Sequence, residues 1–60
     1  MTLSDAMLRA RRNHELYGGQ WTVWTRHTEG GTRQLWIRAA EDGSWLPKGA
    51  LLAYEYPKAK

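Results

Sequence analysis

The strongest constraint on the fold is a pair of strand-like runs separated by two glycines, between residues 20 and 40. Both runs are rich in Trp, Val, Ile and Thr, which favour β-strands, and Gly30-Gly31 favours a tight return between them. A two-residue loop would set Arg26 against Arg33, a pair of like charges. A three-residue loop over residues 29–31 gives one consistently apolar face and supplies the left-handed residue that such loops need. The sequence therefore predicts a β-hairpin with a three-residue loop.

This register divides the hairpin into two faces. The apolar face is predicted to lie against the rest of the chain, and it carries Trp21, Val23, Thr25, Leu35, Ile37 and Ala39. On the other face Trp24 is directly opposite Trp36, and an opposed aromatic pair stabilises a hairpin by up to about 1 kcal/mol. The same face carries Thr22, Arg26, Gln34 and Arg38. Two interpretations stay open: the tryptophans form only a cross-strand contact, or this face binds a partner, because Trp and Arg are enriched at binding hot spots.

The N-terminal segment, from about residue 2 to residue 17, is predicted to be a helix. Thr2 and Asp5 have the spacing of a capping box, with Ser4 as an alternative cap, and Gly18-Gly19 ends the helix. Apolar positions recur at helical spacing and form the stripe expected to be buried. That stripe consists of Leu3, Ala6, Met7, Ala10, His14 and Tyr17.

Three arginines of this helix, Arg9, Arg11 and Arg12, lie off the apolar stripe. Such charges usually form a solvated helix face. The alternative is a short basic surface that contacts phosphate or an acidic partner.

The C-terminal part of the chain adds a third strand over about residues 50–56, after strands over about 20–27 and 32–40. Its alternation places Leu52, Tyr54 and Tyr56 towards the core and Glu55 on the opposite face. Trp45, just before Pro47, is predicted to pack against the core.

The predicted fold class is therefore α+β, with an N-terminal helix packed on a three-stranded antiparallel β-meander (αβββ) in a single domain, residues 1–60. A helix laid across one face of the sheet covers every apolar stripe in the sequence. The chain then has no second layer for the other face. We therefore expect the Trp24/Trp36 face to remain open and to meet a partner.

Several classes of function lack support in the sequence. The chain contains no cysteine, which excludes disulfides and thiolate metal sites. It has no P-loop, nucleophile elbow or dinucleotide-binding motif, so no enzyme activity, cofactor or metal is predicted. No stretch is long and apolar enough to span a bilayer, and the N-terminus lacks a signal-peptide pattern. A cytoplasmic protein is the simplest interpretation.

The leading functional hypothesis is a small non-enzymatic binding protein whose partner is a larger host protein or protein complex. The expected contacts are Trp24, Trp36, Arg26, Arg38 and Gln34. Free-standing proteins of this size are often encoded by phages or mobile elements. We therefore expect a phage- or mobile-element-encoded inhibitor of a host (defence) machine.

Two other hypotheses stay open. One is a nucleic-acid-binding protein that stacks single-stranded bases on aromatics and contacts phosphates with arginine. The formal net charge of +3 weighs against it, because dedicated nucleic-acid binders are usually more basic. The other is a homodimer joined through the open sheet face or edge to edge.

Overall fold

The computed structural model describes residues 2–43 and 45–58. One helix, α1 (Leu3–Tyr17), precedes three strands, β1 (Trp21–His27), β2 (Arg33–Ala39) and β3 (Leu51–Tyr56). The strands form one antiparallel sheet, and α1 packs against all three of them. The predicted α+β arrangement of one N-terminal helix on a three-stranded antiparallel sheet is confirmed.

Helix α1 begins and ends where its sequence predicts. The backbone N–H of Asp5 donates to Oγ1 of Thr2 at 3.2 Å, and the N–H of Thr2 donates to Oδ2 of Asp5 at 3.4 Å, which completes the capping box. At the other end the N–H of Gly18 donates to the carbonyl of His14 at 2.8 Å, and the φ angle of Gly18 is 74°. Tyr17 was expected in the buried stripe, but it lies at this end of the helix and is 73% exposed, with its ring centroid 6.0 Å from that of Trp21.

The hairpin has the register that the sequence predicts. Trp24 pairs with Trp36 and Val23 with Ile37 across β1 and β2. The N–H of Thr28 donates to the carbonyl of Thr32 at 2.9 Å, which closes a three-residue loop. Gly31, the last residue of that loop, has a φ angle of 82°, the left-handed conformation that glycine adopts at little cost.

A small apolar core lies between α1 and the sheet. Ala6, Ala10 and Val23 have no exposed surface. Two alanines on the helix allow its backbone to approach Val23 closely. Larger side chains surround this contact at half-buried positions, namely Leu3, Trp21, Leu35, Ile37 and Tyr54. The predicted apolar face of the hairpin is thus the face that lies against the helix.

The strand order is β2-β1-β3, so the sheet is not the predicted meander. β3 pairs with β1, where Tyr54 lies opposite Val23 and Tyr56 opposite Trp21, and both tyrosines face the helix. A meander would join β2 to β3 by a short hairpin turn of roughly two to five residues. The connection here, residues 40–50, is long enough to pass over β1 to its far side. Since β2 and β3 are both antiparallel to β1, they run in the same direction.

A bulge in β3 changes which leucine faces the helix. Tyr54 pairs with Val23, whereas Leu52 pairs with the next residue of β1, Trp24, so that Ala53 is an extra residue without a partner in the ladder. Leu52, predicted to lie in the core, is therefore on the face away from the helix and is 48% exposed. Simple alternation fails because one extra residue reverses every side chain beyond it.

Replacing Ala10 by Leu is expected to destabilise the protein by about 1–3 kcal/mol, because the added atoms force the helix away from Val23. Chemical denaturation followed by far-UV circular dichroism measures the loss. Arg9→Leu is the matched control, because Arg9 is the exposed neighbour of Ala10 in the same helix. Equal stability of the two variants would contradict the close helix–sheet contact.

The hairpin loop offers a second matched pair. Gly31→Ala is expected to cost about 1–2 kcal/mol, because a Cβ strains a residue at positive φ even though the space around it is empty. Gly30→Ala should change the free energy of unfolding by less than about 0.5 kcal/mol, because Gly30 is not at positive φ. Urea denaturation midpoints of both variants test the loop conformation, and an effect at Gly30 as large as that at Gly31 would contradict it.

Candidate partner-binding surface

The face of the sheet away from α1 carries an apolar row that crosses all three strands. Leu52 of β3, Trp24 of β1 and Trp36 of β2 lie side by side in the ladder. We call this surface the Trp face, and its members are Thr22, Trp24, Arg26, Gln34, Trp36, Arg38, Leu52 and Glu55. The five predicted binding residues therefore share one face, and the bulge adds Leu52 to it.

Hydrogen bonds fix the orientation of Trp24 on this face. Its indole N–H donates to Oγ1 of Thr22 at 3.0 Å, and the hydroxyl of Thr22 donates to the carbonyl of Arg38 at 3.1 Å. Thr22 is only 6% exposed, so its hydroxyl is largely withdrawn from water and depends on these partners. The indole of Trp24 is consequently tied to β1 and, through Thr22, to β2.

The two arginines of the Trp face are held by neighbouring side chains. The guanidinium of Arg38 lies over the ring of Trp24, with Cζ 5.4 Å from the ring centroid, a distance typical of cation–π contacts. Arg26 pairs with Gln34 across β1 and β2, and Nη2 of Arg26 donates to Oε1 of Gln34 at 2.8 Å. Both cations are therefore ordered before any partner arrives.

The Trp face is less open than the sequence suggests. Trp24, Trp36, Arg26, Arg38 and Gln34 are all half-buried. Part of this cover comes from neighbouring side chains of the face, since Arg38 lies over Trp24, and part from the turn before β3, since Gly49 lies against Arg26.

Two residues mark the path of the connection between β2 and β3. A Cβ on Gly49 would lie 3.8 Å from Cδ of Arg26, so the turn before β3 lies against that side chain. Pro47 is buried. The face was expected to be fully open, whereas its residues are half-buried and the turn before β3 reaches one of them.

Trp45 is the most exposed of the large apolar side chains in the described part of the protein, at 83%. It was predicted to pack against the core. The neighbouring Leu46 and Pro47 make the contacts of this segment instead, since they are half-buried and buried respectively. The protein therefore presents a nearly bare indole on the connection between β2 and β3.

The three helix arginines lie on the opposite side of the molecule. Arg9, Arg11 and Arg12 are exposed, and Cζ of Arg11 lies 5.4 Å from the ring centroid of Tyr56. Two leucines that the sequence reasoning missed accompany them, Leu8 at 61% and Leu16 at 62% exposure. The sequence feature that could have identified them is their position off the apolar stripe, which predicts that they face solvent. The predicted site residues thus form two surfaces separated by the thickness of the fold.

Comparisons with known proteins give no further guide to these surfaces. No family model, no curated protein and no solved structure matches the chain. Within residues 2–43 and 45–58, no group of His, Asp or Glu side chains is placed to hold a metal ion. No helix in this part of the chain is long and apolar enough to cross a membrane.

Thr22→Val is expected to destabilise the protein by about 1–2 kcal/mol, because it leaves the indole N–H of Trp24 without an acceptor. A double-mutant cycle with Trp24→Phe, measured by urea denaturation, isolates the contact. On the Phe background the donor is gone, so Thr22→Val should cost less. Full additivity of the two changes would show that the hydrogen bond contributes nothing.

Proposed function

We propose that this chain is a non-enzymatic binding protein that acts in the cytoplasm on a larger protein partner, through the Trp face and the adjacent Trp45. The observation that carries the proposal is the apolar row of Leu52, Trp24 and Trp36 across the whole sheet, bordered by two ordered arginines. Tryptophan and arginine are the residue types most enriched among the contacts that dominate protein–protein affinity.

The geometry also reduces the entropic cost of such binding. A partner that covers Trp24 and Arg38 meets side chains already held by the hydroxyl of Thr22 and by each other. Immobilising a long side chain at an interface costs roughly 0.5–1.5 kcal/mol, and preorganisation avoids much of this cost. Trp45 differs, because its large apolar surface is free to be buried in full by the partner.

A protein partner fits these observations better than single-stranded nucleic acid. The turn before β3 lies against Arg26, and the tryptophans are half-buried, which narrows the platform on which bases would stack. Arg9, Arg11 and Arg12 lie on the other side of the molecule, so one backbone could not contact them and the tryptophans together without wrapping around the fold. Nucleic-acid binding remains the alternative that the experiment below must distinguish.

The test uses cross-linking and affinity capture from a lysate of the source organism, with quantitative mass spectrometry. The wild-type chain should recover one protein, and Trp45→Ala or Trp36→Leu should lower the affinity for that protein about 30-fold. This decrease corresponds to a hot-spot loss of about 2 kcal/mol in binding free energy. Leu16→Ala should recover that protein at the wild-type level, because Leu16 is similarly exposed but lies on the helix. Thermal denaturation of each variant checks that the fold is retained.

Two outcomes would contradict the proposal. The first is a captured protein whose yield falls as much with Leu16→Ala as with Trp45→Ala. The second is binding to a single-stranded oligonucleotide that weakens steeply between low and moderate salt, as the release of counterions requires. That second result would favour the nucleic-acid alternative.

A further inference from the structure

The outer edge of β3 has no neighbour among the described strands. β3 pairs on one side with β1, and the order β2-β1-β3 places it at the border of the sheet. A border strand presents a row of unpaired backbone N–H and C=O groups, to which another extended segment can add. Natural proteins usually protect such borders with charge, proline or a bulge.

The first half of β3 is unusually bare for a border strand. Leu51 is 68% exposed and Leu52 is 48% exposed, and Ala53 beside them is exposed as well. Leu51 lies on the helix side and Leu52 on the Trp face, because they pair with Thr25 and Trp24 respectively. A strand added alongside β3 would therefore cover apolar surface on both sides of the sheet at once. The other border strand, β2, is half-buried from residue 34 onwards and offers no comparable surface.

A concavity follows the same strand. It has a volume of about 530 Å³ and is lined by consecutive residues from Leu52 to Lys58. This lining runs along the strand rather than across the sheet. It therefore borders β3 along most of its length, and we call it the groove.

We propose that the border of β3 accepts an extended, acidic segment of the protein partner as a fourth strand, with apolar residues alternating with acidic ones. The inference rests on the proposed function in one respect, that the added strand belongs to the protein partner. In this binding mode the backbone hydrogen bonds supply affinity and the alternate side chains supply specificity.

Cations at the two ends of β3 favour an acidic segment. Lys58 lines the groove, whereas Lys48 lies with Arg26 and Glu29 beside the hairpin loop. Lys48 precedes β3 and Lys58 follows it, and both are exposed. Arg11 adds a third cation over the ring of Tyr56, which lines the groove. Glu55 is the one carboxylate on the strand itself. Complementary charge steers association and selects among partners.

The same charges disfavour a second copy of this chain. If β3 paired with itself in the antiparallel direction about its midpoint, Lys58 of one copy would approach Lys48 and Gly49 of the other. Like charges brought together at an interface oppose association. The bulge at Ala53 and the proline at position 57 also limit the length of regular border, which allows one short strand and hinders open-ended polymerisation.

The experiment titrates ¹⁵N-labelled protein with two blocked eight-residue peptides, one alternating valine with glutamate and the other alternating valine with lysine. The glutamate peptide should bind about tenfold more tightly, as two surface ion pairs in place of two like-charge contacts would give. Its binding should slow amide hydrogen exchange within residues 51–56. Slowed exchange along β2 instead, or failure of both peptides to bind, would overturn the proposal.

A charge exchange provides the decisive variant. Lys48→Glu combined with Lys58→Glu should reverse the preference, so that the lysine peptide binds more tightly. Arg9→Glu combined with Arg33→Glu makes the same change in net charge at exposed positions on the helix and on β2, and it should leave the preference unreversed. If both double variants reversed the peptide preference, that preference would depend only on the net charge of the protein, and the proposal would be overturned.

The two proposals fail independently. Trp45→Ala and Trp36→Leu, which test the Trp face, should leave the affinity of the glutamate peptide unchanged. Sedimentation of the protein without peptide shows whether a second copy of the chain occupies the border of β3. A dimer with β3 amides protected in the absence of peptide would assign the border to a second copy and overturn the proposal.

Discussion

The fold depends on the position of β1, the one described strand that is paired along both borders and covered by the helix. Val23 at its centre is fully buried, and Ala6 and Ala10 of α1 leave the space that allows this contact. The hairpin supplies one neighbour of β1 through a local loop. The other neighbour, β3, comes from the far end of the chain, so the second half of the sheet depends on a non-local pairing that places Tyr54 and Tyr56 beneath the helix.

This division explains which parts of the fold the sequence predicts. The helix caps and the hairpin register follow from residues close together in the chain, since Thr2 with Asp5 and Gly31 at the end of its loop each specify one local geometry. The side on which β3 joins does not follow from alternation, because either border of the hairpin offers apolar partners. The alternation of apolar and polar residues does not predict the bulge at Ala53 either. The bulge places Leu52 on the Trp face instead of in the core.

The candidate site follows the same logic. Trp24, Trp36, Arg26, Arg38 and Gln34 were placed correctly on one face because hairpin pairing is local. They are half-buried rather than open, and the position of the turn that lies against Arg26 does not follow from local pattern. The exposure of Trp45 does not follow from local pattern either. The identification of the partner as part of a host machine stays a prediction, since the contacts described here bear on the surface and not on its target.

A protein with so small a core must use its half-buried aromatic residues for stability as well as recognition. Trp24 illustrates this double use, because its ring completes a hydrogen-bond chain to Thr22 while presenting apolar surface to solvent. Replacing residues of this kind affects stability as well as binding, so the stability of each such variant must be measured beside its binding. Trp45, Leu51 and Leu52 are different, because high exposure means that they contribute little to the core. Retaining large apolar side chains at such positions costs solubility without a return in stability. Their placement, on the connection and along the unpaired border, is the reason we propose these positions as contacts with another molecule.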